Sequence, residues 1–262
     1  MENNLPNPFA GMEGTPAEQL HAEGHLRIAI LGKPKSGKTT LASTARKPMR
    51  YYDYDNRKES LEGKEGIFVV SKPTMLQVET DLSIMKANKI KKLPLPATIV
   101  HDSVTYMTHA MEDEIFRQDP KLARLIRVGN NVTIKMRNSW DVLNGIQKYT
   151  EYLIAEYTGL GVDFIFVFHE KDEKDRTEST PNETKYTGQV TTDPQYLQNS
   201  LSLFNEVYRI TVDGNRKYQV ACRTNFEVNA STTMMLDPFE KPDIMEMIAK
   251  HQAKRAALNQ PK

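Results

Sequence analysis

The chain has 262 residues, with 35 Lys and Arg against 34 Asp and Glu and a formal net charge of +1. That balance excludes an overall basic footprint for nucleic acid, so any such contact must come from a local patch. The single cysteine, Cys222, excludes a disulfide framework or a cysteine-based zinc site and fits a reducing cytosol, and no apolar run is long enough to span a membrane.

Residues 1–24 carry Pro, Asn, Gly and Glu without an apolar stretch, and read as a flexible tail and not a signal peptide. Leu26-Arg27-Ile28-Ala29-Ile30-Leu31 then reads as a buried strand. It leads into Gly32-Lys33-Pro34-Lys35-Ser36-Gly37-Lys38-Thr39, a complete G-x-x-x-x-G-K-[ST] loop, and residues 39–46 read as the helix that follows. A loop so placed aims successive backbone N–H groups and a helix N-terminus at an anion. Gly32 through Thr40 would cradle the phosphates of a nucleoside triphosphate, with Lys38 reaching the terminal phosphates and the Thr39 hydroxyl on Mg²⁺.

Met49 to Asp55 is a short β-rich run ending in acids, Gly63 and Gly66 bracket a turn, and Ile67 to Val70 is a second strand signal. Met75, Val78, Leu82 and Met85 recur at helical spacing within residues 74–87. A polar segment at 86–92 and Pro94 and Pro96 lead into Thr98-Ile99-Val100-His101-Asp102, a strand that ends in an acid. A helix is expected over 104–118, then an irregular stretch over 119–138. A long amphipathic helix with Trp140, Leu143, Ile146, Thr150, Leu153, Ile154 and Tyr157 follows, closed by Gly159 and Gly161. Residues 162–168 form the most apolar strand signal, as expected of a central strand covered on both faces. A polar segment over 170–194 precedes a hairpin of residues 207–212 and 218–223 around Asp213-Gly214-Asn215, and a last helix is expected from Pro242 to about Lys254.

This order predicts an α/β domain with a mainly parallel central sheet flanked by helices and a C-terminal β-hairpin. The loop and the polar strand ends would then share the carboxyl edge of the sheet, where open α/β folds bind ligands. Asp102 is the candidate for a second phosphate-site acid holding Mg²⁺, with an ordinary helix N-cap as the alternative. Asp53 or Asp55 would orient or deprotonate an attacking water, or else belong to a solvated turn with Arg57, Lys58 and Glu59. His169, directly after the apolar strand, would sense the γ-phosphate or stand as a surface histidine, and His101 would pack as a satisfied polar residue. Arg117, Lys121, Arg124, Arg127, Lys135 and Arg137 face only Asp119 in composition, which suits a phosphate backbone, a subunit interface or a solvated loop.

Taken together, Ile30 to Leu41, Tyr52-Asp53-Tyr54-Asp55, Ile99 to Ser103 and Phe166 to Lys171 resemble the RecA-like P-loop ATPases. Within them they resemble phage-encoded nucleotide-binding proteins of recombination modules, which are associated with single-strand annealing. The resemblance spans about residues 26–223. It implies a tail at 1–24, a RecA-like ATP-binding domain at 25–250 and a basic C-terminal tail at 251–262. It also implies ATP and Mg²⁺ as cofactors, Asp102 as the Walker B acid, and Lys38, Asp55 and His169 as catalytic residues, His169 at the sensor position. Asp55 stands where the family usually has the glutamate of a D-x-E pattern. The implied partners are single-stranded DNA, further copies of the chain and recombination proteins, in the cytoplasm of a host cell. The loops at 119–138 and 170–194 would face DNA; the first is basic, the second rich in acids. Two alternatives stand beside this reading. One is a nucleotide-gated interaction module with little turnover. The other is a small-molecule kinase with Arg124 and Arg127 in a lid. A GTPase is disfavoured because Asn88-Lys89-Ile90-Lys91 lacks the acid of a guanine-reading motif.

Overall fold

The computed structural model describes residues 24–128, 132–137, 140–174, 186–193, 195–212, 215, 217–223 and 230–258. In chain order the elements are β1 (Arg27–Gly32), α1 (Lys38–Ala42), β2 (Met49–Asp53), β3 (Ile67–Ser71), α2 (Met75–Ile90), β4 (Thr98–Asp102), α3 (Val104–Gln118), β5 (Ala123–Val128) and β6 (Val132–Arg137). Then come α4 (Trp140–Leu160), β7 (Asp163–Lys174), β8 (Tyr186–Asp193), β9 (Glu206–Val212), β10 (Tyr218–Ala221), β11 (Ser231–Thr232), β12 (Phe239–Glu240) and α5 (Ile244–Leu258).

The main sheet runs β12-β10-β9-β1-β7-β4-β2-β3, with β8 added to β7 and β11 to β9. From β9 through β3 every pairing is parallel, and β10, β12, β11 and β8 join antiparallel. The mainly parallel sheet, the flanking helices and the terminal β9–β10 hairpin are as the sequence predicts. The most apolar run does become a central strand, β7, between β1 and β4.

Alternation builds a core on each face of the sheet. Ala29 and Leu31 of β1, and Phe164, Phe166 and Phe168 of β7, pack with buried residues of α2, α3 and α4. Ile28, Ile30, Ile165 and Val167 face the other way, against Leu41 and Ala42 of α1 and Ile244, Met247 and Ile248 of α5.

Four sequence expectations change. The helix over 39–46 is shortened to α1, because the Ser43 and Thr44 hydroxyls bond back to the carbonyls of Thr40 and Leu41 and Pro48 follows closely. The irregular stretch over 119–138 is corrected: β5 and β6 form an antiparallel ribbon of their own. The polar segment over 170–194 is corrected in the same way, since β7 runs on to Lys174 and β8 pairs with it; residues 175–185 and 194 lie outside the described residues. In the β7 extension and β8, backbone pairing carries the strands even though their composition is polar. The last helix starts at Ile244 and continues to Leu258, past the expected end near Lys254. The tail expected over 1–24 lies, apart from Gly24, outside the described residues, as do 259–262.

His101 is fully buried in β4, and its two ring nitrogens lie 3.1 Å from the Tyr54 hydroxyl and 2.9 Å from the Tyr157 hydroxyl. A neutral imidazole has one donor and one acceptor, so it satisfies both tyrosines. Burial lowers its pKa to about 3. The unfolded chain therefore takes up a proton below pH ~6.5 that the folded chain refuses. This contribution to stability is complete above pH ~6.5 and falls by up to about 1.4 kcal/mol per unit as pH drops towards the folded value. His101→Leu should strand both hydroxyls, lower stability by about 2–5 kcal/mol and remove this part of the acid sensitivity. Urea denaturation midpoints of the two proteins between pH 4 and 7.5 measure both effects.

Candidate active site

β1 delivers the chain to the carboxyl edge at Gly32, level with His169 of β7. The backbone then turns tightly. A Cβ on Gly32 would sit 2.5 Å from the Ser36 hydroxyl, Lys35 has φ 63° and Gly37 has φ 91°. Only glycine adopts that last conformation without strain, which explains the residue before the lysine. Lys38 opens α1 and is 5% exposed; its ammonium donates to the carbonyls of Gly32 and Lys33, both at 2.7 Å. Burial lowers the Lys38 pKa to about 8, against the opposing pull of Asp102, Glu170 and Asp55. Among the described residues, the buried Ser36 hydroxyl has no hydrogen-bond partner and no side chain caps the α1 N-terminus. An unpaired hydroxyl, uncapped helical N–H groups and an ammonium wrapped in its own loop together fit a polyphosphate.

The metal-side residues also meet. Thr39 Oγ1 donates to Asp102 Oδ2 at 2.6 Å, and the Tyr51 hydroxyl donates to the same oxygen at 2.6 Å. Neither bond uses Oδ1. Burial raises the Asp102 pKa, opposed by the Thr39 and Tyr51 hydrogen bonds. A cation near Thr39 and Asp102 would relieve that burial cost. Among the described residues no cluster of three or more His, Cys, Asp or Glu could hold a metal by itself. An ion here would share its shell with phosphate oxygens and water, which is the habit of Mg²⁺.

Asp53 and Asp55 separate into two roles. Asp53 closes β2, in register with Asp102, and is buried, with Oδ2 unpaired among the described residues; burial raises its pKa. Asp55 lies two residues beyond the strand. Its Oδ1 accepts from Ser103 Oγ at 2.9 Å, and its Oδ2 lies 3.5 Å from His169 Nε2. Burial opposes ionisation of Asp55, but the His169 and Ser103 side chains and then the Arg57 charge outweigh it, and its pKa is lowered. His169 Nδ1 is buried without a hydrogen-bond partner among the described residues. The structure thus brings Lys38, Thr39, Asp102, Asp55 and His169 to one edge of the sheet. Pro34, Lys33, Lys35 and Thr40 line the exposed rim of the loop.

Four participants escaped the sequence reading: Tyr51, Ser103, Glu170 and Arg209. Glu170, its side chain buried within β7 just past the level of Gly32, forms an ion pair with Arg209 of β9. Since β1 lies between those strands, the pair crosses the root of the phosphate loop. The alternation of β2 could have flagged Tyr51 as an inward group, whereas nothing local pairs residue 170 with residue 209.

A family model described as an AAA domain matches residues 25–237. No curated protein is matched by sequence. Among solved structures the chain is similar to a KaiC-like protein of the hyperthermophilic archaeon Pyrococcus horikoshii, at 14% identity and a TM-score of 0.40, over 81% of this chain and 86% of that one.

Proposed function

The chain belongs to the AAA domain family, and we propose that it is a Mg²⁺-dependent ATPase that acts on single-stranded DNA in recombination or strand annealing, as an oligomer. The observation that carries the ATPase reading is the convergence of Asp102 with Thr39, and of Asp55 with Ser103 and His169, beside the loop that holds Lys38. In this reading the loop N–H groups and Lys38 bind and orient the phosphates. Thr39 and Asp102 would hold Mg²⁺, which when bound supplies positive charge to the phosphate oxygens. Asp55, kept ionised by its surroundings, accepts a hydrogen bond from the attacking water and draws off its proton. Ser103 and His169 fix the orientation of that carboxylate. Because Asp is one methylene shorter than Glu, its reach to the water depends on this bracing.

The DNA part of the reading rests on the basic ribbon. Arg124, Arg127, Lys135 and Arg137 occupy paired strands of β5 and β6, directly after the α3 that Ser103 precedes. Basic residues on a ribbon can follow a phosphate backbone. Fluorescence anisotropy with a labelled single strand tests this. Binding is expected in the presence of Mg²⁺-ATP, to weaken steeply with salt, and to drop about tenfold or more in Arg127→Glu/Lys135→Glu. Binding indifferent to that double substitution would remove the ribbon from the account. ATP turnover with no affinity for single strands would instead favour an ATPase with a protein partner.

A further inference from the structure

The β9–β10 hairpin carries an apolar pair that the site above does not use. Val212 and Tyr218 are the cross-strand pair at its turn end, and 53% and 52% of their surfaces are exposed. Lower on the hairpin, Tyr208, Ile210, Val220 and Cys222 are buried in the layer that contains α1 and α5 residues. Side chains alternate along a strand, so Val212, two residues after Ile210, and Tyr218, two before Val220, continue this same face beyond the packed layer.

That face adjoins the phosphate loop. β9 runs parallel to β1 with Arg209 level with Leu31. Val212 therefore stands three residues, about 10 Å, further in the direction in which β1 delivers the loop, and one strand, about 5 Å, to the side. α1, which presents Lys38, Thr39 and Thr40, packs through Leu41 and Ala42 on the same face of the sheet. A nucleotide with its phosphates at the start of α1 would have this pair along its outward path. The flat face of an aromatic ring beside an aliphatic side chain suits a nucleobase, because every base offers a π-face.

We propose that Tyr218, backed by Val212, is the stacking platform for the base of the nucleotide whose phosphates the loop holds. The inference rests on the reading of that loop as a nucleoside-triphosphate site and adds the residue that receives the base. Calorimetric titration of the full chain with ATP, GTP and inorganic tripolyphosphate separates the two. Tripolyphosphate carries the phosphates and no base. Tyr218→Ala is expected to weaken ATP and GTP about tenfold, to leave tripolyphosphate unchanged, and to be rescued by Tyr218→Trp. Unchanged ATP affinity in Tyr218→Ala, or an equal loss of tripolyphosphate, would overturn the platform while leaving the loop intact. If Lys38→Ala binds ATP and tripolyphosphate as tightly as the unaltered chain, the loop reading falls and the platform falls with it.

Discussion

Lys38→Ala is expected to weaken ATP binding by about 100- to 1,000-fold and to abolish turnover. The ammonium is buried at the mouth of the loop, and among the described residues its hydrogen-bond partners are the carbonyls of Gly32 and Lys33. A phosphate replaces these neutral acceptors with charged ones, and two or three charge-assisted hydrogen bonds contribute about 3–5 kcal/mol. Loss of the side chain leaves the loop carbonyls free to turn to water, so the fold should survive. The lowered pKa adds a second signature. In the free protein the ammonium loses its proton above pH about 8, and only the charged form attracts phosphate. ATP affinity should therefore fall by up to about tenfold per pH unit above that value, with a flat profile below it. The Lys38→Ala variant should lack this limb. Calorimetric titrations from pH 6.5 to 9.5 measure the affinity loss and its pH dependence together.

The second large effect concerns Asp102→Asn. Both hydrogen bonds from Thr39 and Tyr51 end on Oδ2. An asparagine placed with its carbonyl at that position keeps both bonds and removes only the charge and the Oδ1 acceptor. Stability should thus change little, or rise, since a buried carboxylate that resists ionisation is replaced by a neutral group. Turnover should fall by about 100- to 1,000-fold, the scale of several kcal/mol of metal-assisted charge stabilisation. The Mg²⁺ dependence of ATP affinity should shrink in parallel. Turnover measured across a Mg²⁺ titration, beside a thermal melt of the same variant, checks the two halves. A variant that melts far lower would mean that Asp102 serves the fold before it serves a metal.

The phosphate loop was legible because its chemistry is local. Eight consecutive residues, a strand before them and a helix after them fix the backbone and the anion site at once. Asp102 and His169 could be placed for a related reason: each follows an apolar strand run, and although β7 continues past His169, that residue stands level with Gly32 at the carboxyl edge of β1. Contacts that depend on alignment between distant strands were hidden. Tyr51 meets Asp102 because β2 and β4 are neighbours in a particular register, and Glu170 meets Arg209 across β1. The β5–β6 ribbon shows a different failure. Val132, Ile134 and Met136 alternate with Thr133, Lys135 and Arg137 after Gly129-Asn130-Asn131, a legible strand-and-turn pattern. The density of basic residues masks it, because such runs also suit a solvated loop. In β8 the pairing to β7 supplies the order, and its own sequence, with Gly188 and three threonines, gives little warning.

Hydrolysis of ATP at this edge of the sheet is read by steady-state phosphate release from Mg²⁺-ATP, with Asp55→Asn as the comparison. Turnover should require Mg²⁺, rise with single-stranded DNA and drop by about 100-fold or more in the variant, which should still bind ATP. Tight ATP binding by the unaltered chain with no turnover, with or without DNA, would contradict it and leave a nucleotide-gated binding module in its place.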